Sequence, residues 1–302
     1  MKLGLSQLID PRLLPLVDST REFYEHRGTG RGPRDQDELQ SIRRGAKTPE
    51  RSSPPAEVET ARHGDRTVPV RIHSPVSITP RGVLLDIHGG GFYGGSAAAD
   101  DVRNRELADA LGIVIVSVDY LLAPENPWPA APRDCETAAL WLAEHAAGRF
   151  GTGRLCIGGF SAGATLAMTT LVRLRDRGMS AFDAAVLQFG TYDLSGQTPS
   201  GRLIAGEYFI EAYAGTAPDR TDPDFSPVYA DLTGLPPVLI VVGEEDVLLR
   251  DNLAMAAHLS AAGVAVDLRV YPAAPHGFTG HRTAMADAAN GDLRAWLDRR
   301  FG

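Results

Sequence analysis

Two short stretches carry the residue types of acyl-transfer chemistry. Gly159-Phe160-Ser161-Ala162-Gly163 fits G-x-S-x-G, in which small residues let a strand turn sharply into a helix and lift the serine hydroxyl clear of the sheet. In "LLDIHGGGFYGG", an apolar run gives way to His88, Gly89, Gly90 and Gly91, and glycines lose more backbone freedom on folding than any other residue. Serine chemistry supplies a reason to spend it. The oxygen of an attacked carbonyl turns negative, and backbone N–H groups aimed at it are worth on the order of 10²–10³ in rate per donor. Gly90 and Gly91, without side chains, can crowd such an oxygen, and Ala162, just after the serine, supplies a third amide. That reading is preferred to a plain tight loop or a phosphate-cradling nest.

A serine attacks only when a base takes its proton and a third group holds that base in the right tautomer. For a serine on a strand-to-helix turn, the chain order is serine, acid, histidine. After the apolar run "PPVLIVVG" the chain reads "EEDVLLRD", and after "VDLRVYP" it reads "AAPHGF". Acids and His276 therefore land on loops at the same sheet edge as Ser161. Asp246, three residues beyond Gly243, is taken as the acid; Glu244 and Glu245 compete with it, and Asp251 reads better as a helix cap. His276 is preferred to His281, which lies farther from a strand end. His26, His63, His73, His145 and His258 fall on helices, a strand or the N-terminal connector and are read as surface or core residues. His88 is read as fixing the glycine loop.

These loops require an α/β scaffold. From about Val68 onward, short apolar runs alternate with longer amphipathic segments, the pattern of a mostly parallel sheet with crossover helices. Seven strands are expected, "VPVRIHS", "GVLLDIH", "GIVIVSVDY", "RLCIGGF", "AAVLQFG", "PPVLIVVG" and "VDLRVYP". Helices are expected at "NRELADALG", "DCETAALWLAEHAA", "SAGATLAMTTLVRLRDRG", "DNLAMAAHLSAAG" and "ANGDLRAWLDRRF"; the fourth starts on Asp251 or Asn252 and stops at Gly263. Two segments break the alternation, residues 1–55 and about 194–222. Both are assigned to the walls or lid of a site at the strand C-terminal edge, leaving 56–302 as the catalytic domain.

Bulk properties narrow the partners. The 302 residues are 43% hydrophobic and 23% charged, as in a globular protein able to bury a sizeable core. A net charge of −8 repels nucleic-acid phosphates and anionic membranes. The arginines at 27, 31, 34, 43 and 44 are interleaved with acids and read as a solvated face. No stretch is apolar enough for a bilayer span, so neither nucleic acid nor stable membrane insertion is expected. The start, "MKLGLSQLIDPRLLPLVDS", lacks a signal-peptide pattern, and a cytoplasmic location is expected. Cys135 and Cys156 are too few for a disulfide framework and read as buried thiols. Oligomeric state is left open, a homo-oligomer included.

Taken in order, "HGGGFYGGS", "DYLLAPENPWPAA", "GGFSAGA", "DPDFSPVYADLTGLPPVLIVVGEEDVLLRDN" and "YPAAPHGF" resemble the hormone-sensitive-lipase-type esterases, the α/β-hydrolase fold-3 group, from about Val68 to the C-terminus. The resemblance implies an α/β-hydrolase fold with a mostly parallel eight-stranded sheet, helices on both faces and a helical cap. It also implies hydrolysis of small-molecule carboxylic esters without cofactor or metal. It carries the nucleophile onto Ser161, the acid onto Asp246, the base onto His276 and the oxyanion donors onto Gly90, Gly91 and Ala162. The chain departs from the family at Phe160, where Asp or Thr is common, and at Ala164 and Leu121. Phe92, Tyr93, Phe160, Phe278 and the aromatics of "EYFIEAY" are candidates for an apolar substrate pocket, and small to medium acyl chains are expected. A silent hydrolase-fold receptor and an amidase or lactonase with the same triad are the competing readings.

Overall fold

A computed structural model describes residues 4–27, 31–76 and 78–302; of the N-terminal segment, residues 1–3 and 28–30 lie outside it. The strands are β1 (Glu57–His63), β2 (Arg66–His73), β3 (Val83–Ile87), β4 (Val114–Val118), β5 (Leu155–Phe160), β6 (Ala184–Gln188), β7 (Val238–Gly243) and β8 (Val266–Tyr271). They form one sheet in the order β1-β2-β4-β3-β5-β6-β7-β8. β2 runs antiparallel to both β1 and β4, and all other neighbours are parallel. Seven of these strands lie where the apolar runs place them. β1 was not expected: "EVETARH" is polar because it is an edge strand with only Ala61 fully covered, and such a strand carries little hydrophobic signal.

The helices are α1 (Val17–Glu25), α2 (Gln36–Gly45), α3 (Asp101–Leu111), α4 (Ala130–Phe150), α5 (Ala162–Asp176), α6 (Tyr208–Ala214), α7 (Leu249–Ala261) and α8 (Ala284–Phe301). Strand residues alternate between two cores, as a period of two demands. Leu85, Val116, Ile157 and Ile240 face α4, α5 and α7, whereas Leu84, Ile115, Cys156 and Leu239 face α3 and α8. Helices thus cover both faces, and the parallel strands can be apolar throughout.

α7 begins at Leu249, two residues before its expected cap. Asp251 lies inside the first turn, where its buried carboxylate accepts the backbone N–H groups of Tyr192 and Asp193. It anchors the chain leaving β6 and caps nothing. The helices of the two segments outside the alternation, α1, α2 and α6, touch loops at the C-terminal edge of the parallel strands. α1 packs on α8, and Tyr24 hydroxyl meets His281 Nδ1 at 2.8 Å. α2 reaches the loop after β3 through Arg43, which donates to the carbonyls of Tyr93 (2.6 Å) and Ala123 (2.7 Å). α6 comes from the long connection between β6 and β7; its Tyr213 stacks on Phe92 with ring centroids 3.9 Å apart.

Candidate active site

Ser161 stands between β5 and α5 with φ 53° and ψ −124°, a conformation few side chains tolerate. Its N–H is held by the carbonyl of Gln188 at the end of β6, 2.9 Å away. The turn closes only because its neighbours are small. A Cβ on Gly163 would lie 2.0 Å from the carbonyl oxygen of Ile87, and one on Gly159 would lie 2.5 Å from the backbone of Gly163. Strand end, turn and glycine loop are packed backbone against backbone.

The loop after β3 needs glycine for its own reasons. Gly90 has φ 120°, and a Cβ there would meet the Gly94 carbonyl oxygen at 2.3 Å; that loop is closed by Gly94 N–H donating to Gly90 O at 2.8 Å. Among the described residues, the N–H groups of Gly90 and Gly91 have no hydrogen-bond partner. Ala162 is the first residue of α5, so its N–H is one of the donors a helix leaves unused, at the positive end of the helix dipole. His88 lies beneath this loop, stacked on Tyr120 with ring centroids 4.2 Å apart, and its carbonyl accepts the Tyr120 hydroxyl. Burial pushes its pKa down, which keeps the ring neutral and suits the structural role expected of it.

The three expected triad residues meet. His276 Nε2 lies 3.0 Å from Ser161 Oγ, and His276 Nδ1 lies 3.1 and 3.0 Å from the two carboxylate oxygens of Asp246. The Asp246 side chain is fully enclosed, whereas that of His276 is 38% exposed, so the acid is sealed and the base opens to solvent. Asp246 Oδ1 also accepts the N–H of Leu248 at 2.8 Å, which fixes the carboxylate. The competing acids are used elsewhere or left outside: Glu244 accepts the N–H of Ala273 at 3.1 Å, and Glu245 is exposed. His281 is engaged by Tyr24.

The aromatic candidates divide. Phe92 and Phe278 are both 0% exposed. They are core residues, Phe92 beneath α6 and Phe278 against Tyr271, which corrects their assignment to a substrate pocket. Tyr93 and Phe160 remain partly exposed. Tyr93 stands with Phe209 beside Gly91, where an added Cβ would lie 3.2 Å from Tyr93 Cζ and 3.3 Å from Phe209 Cβ. Phe160 covers Gly89 and lies under the guanidinium of Arg103, 4.9 Å from its ring centre. Arg103 in turn pairs with buried Asp86 at 2.8 Å; this polar cluster under the loop carried no sequence signal beyond one Asp in an apolar strand.

Among the described residues, the non-glycine residues with positive φ are Phe92, Ser161, Phe189 and Ala273, each in the connection that follows a strand at this edge. Backbone strain gathers at functional sites because the surrounding structure must over-determine it. No group of three or more His, Cys, Asp or Glu side chains among the described residues is placed to hold a metal, and none of their helices is long and apolar enough to cross a membrane.

A family model described as α/β hydrolase fold matches residues 84–280, a span that runs from β3 past His276. The chain belongs to the α/β-hydrolase fold family. It is 34% identical over 247 residues to an ethyl acetate hydrolase of Pseudomonas putida, covering 77% of each chain. Among solved structures it resembles an esterase of Pyrobaculum calidifontis, with TM-score 0.80, 28% identity and coverage of 96% and 98% of the two chains. It also resembles a hormone-sensitive lipase from a metagenome library, with TM-score 0.75, 30% identity and coverage of 97% and 99%. This α/β-hydrolase chain therefore resembles esterases along almost its whole length.

Proposed function

We propose that this chain, a carboxylic ester hydrolase of α/β-hydrolase type, cleaves esters of small to medium acyl chains through Ser161, His276 and Asp246 and an acyl-enzyme intermediate. The observation that carries the reading is the continuous line from Asp246 to His276 to Ser161, each gap 3.0–3.1 Å, with its open end at the serine. His276 Nε2 takes the proton as Ser161 Oγ attacks the ester carbonyl, and the oxyanion forms beside the free amides of Gly90, Gly91 and Ala162. The Nε2 proton then passes to the leaving alcohol as its C–O bond breaks, leaving the acyl group on Oγ. In the second half, His276 takes a proton from water, hydroxide attacks the acyl carbonyl, and the proton returns to Oγ as the acid departs. Asp246 stays ionised and steadies the imidazolium.

One observation supports small to medium acyl chains: a relative named for ethyl acetate hydrolysis matches most of the chain. Ser161→Ala is expected to lower turnover of p-nitrophenyl acetate by about 10⁴-fold or more; wild-type turnover in that variant would rule the mechanism out. Across a p-nitrophenyl acyl series, kcat/KM is expected to peak at short chains and fall at long ones. A maximum at long acyl groups would overturn the size assignment alone.

A further inference from the structure

His276 is held by hydrogen bonds at its two ring nitrogens, Nδ1 to Asp246 and Nε2 to Ser161. Tilting the imidazole about the axis through those nitrogens stretches neither bond much, and 38% of the side chain is open to solvent. A wall is supplied by Phe189. Its ring meets that of His276 edge to face, with centroids 5.1 Å apart and planes at 73°, inside the favoured range for aromatic pairs.

Phe189 is itself immobilised. It is 1% exposed, flanked by Phe160 at 6.4 Å and Phe278 at 6.2 Å, and its N–H donates to Val241 O at 2.7 Å. The residue before it, Gln188, holds the N–H of Ser161. One backbone turn therefore fixes the nucleophile through its carbonyl and faces the base with its next side chain. The turn is strained: Phe189 has φ 40°, a left-handed conformation that glycine would adopt freely. A phenyl ring at such a position needs a reason.

We propose that Phe189 is a positioning residue for His276, its ring setting the tilt at which Nε2 faces Ser161 Oγ in acylation and the incoming water in deacylation. The proposal rests on the reading of Ser161, His276 and Asp246 as the reacting line. Removing the ring leaves both hydrogen-bond partners present but lets the imidazole wander, so the loss falls on kcat and not on KM.

The test is a double-mutant cycle on p-nitrophenyl acetate hydrolysis, with folding followed by thermal unfolding and circular dichroism. Phe189→Leu keeps apolar bulk without the planar ring and is expected to lower kcat by about 10- to 100-fold with KM within about twofold of wild type. Phe189→Tyr, which keeps the ring, is expected to recover most of that loss. In the His276→Ala background, Phe189→Leu is expected to change the residual rate by less than about twofold, because the group it acts through is gone. Equal losses in both backgrounds would mean that Phe189 acts through the serine turn or the fold, and would overturn the proposal; so would unchanged kcat in Phe189→Leu. If Phe189→Leu fails to fold, Phe189→Met is carried through the same cycle with the same expectations. Wild-type turnover in His276→Ala itself would overturn the triad reading and, with it, the role given to Phe189.

Discussion

The strand-end loops and the segments lying over them are held by different forces. At the loops, backbone meets backbone: Gly163 leaves no room for a methyl beside Ile87, Gly90 none beside Gly94, and Ser161 and Phe189 sit in left-handed conformations. Over them, α1 and α2 are attached by side chains, through Tyr24 on His281 and Arg43 on two carbonyls, and α6 adds to the stack of Tyr213 on Phe92 a single backbone bond, from Trp128 N–H to Tyr213 O at 2.7 Å. Contact between backbones tolerates almost no substitution and fixes atoms closely, as reacting groups require. Attachment by side chains can be rebuilt with other residues, which suits the wall or lid expected of these segments. Changes at the loops should therefore cost turnover, and changes in the overlying segments should cost affinity or chain-length preference.

The largest effect should come from Asp246→Asn, which leaves the shape intact but misdirects the imidazole; kcat is expected to fall on the order of 10⁴-fold, read by steady-state hydrolysis of p-nitrophenyl acetate. Next, Gly90→Ala forces a methyl against the Gly94 carbonyl and shifts an oxyanion donor. A loss of about 10²–10³ in kcat with little change in KM is expected, and near-normal kcat would remove this loop from the chemistry. Arg43→Ala frees α2 from the loop after β3, and kcat/KM should fall only about 2- to 10-fold, mainly through KM. A thousandfold loss in kcat there would erase the distinction between the two regions.

The smallest effect concerns Asp251, at the root of the connection to α6. Burial raises its pKa from 3.8 to about 6, with Asp193 close by adding to the rise. The folded state therefore holds this proton more tightly than the unfolded one. Stability from this group is greatest at low pH and falls as pH rises from about 3.8 to about 6. Asp251→Asn should remove that fall, so denaturant titrations of variant and wild type should differ in slope across this window and run parallel above it. Parallel curves throughout would place the carboxylate outside the balance.

The same contrast explains what could be read in advance. Ser161 and Asp246 were legible because each follows a buried strand whose apolar run is plain in the sequence, His276 because it follows the alternating, half-buried edge strand β8, and the glycines of the loop are visible as glycines. The start of α7 was missed because Asp251 looks like a cap; its true partners, the amides of Tyr192 and Asp193, lie some sixty residues away in the chain. β1 was missed because an edge strand need not be apolar. Phe92 and Phe278 were misassigned because an aromatic beside a site looks the same in sequence whether it faces the cleft or the core. Nothing in "LQFGTY" announces that Phe189 turns left-handed and meets His276, since that contact depends on the end of one strand lying beside the loop of another.

Ester hydrolysis by this chain is proposed to depend on one activated serine, which covalent labelling tests directly. Treating the folded protein with a fluorophosphonate probe, then measuring intact mass and mapping the labelled peptide, should show one adduct per chain on Ser161 in the wild type and none in Ser161→Ala. An unlabelled wild type that hydrolyses esters, or an adduct of the same yield on another residue, would contradict it.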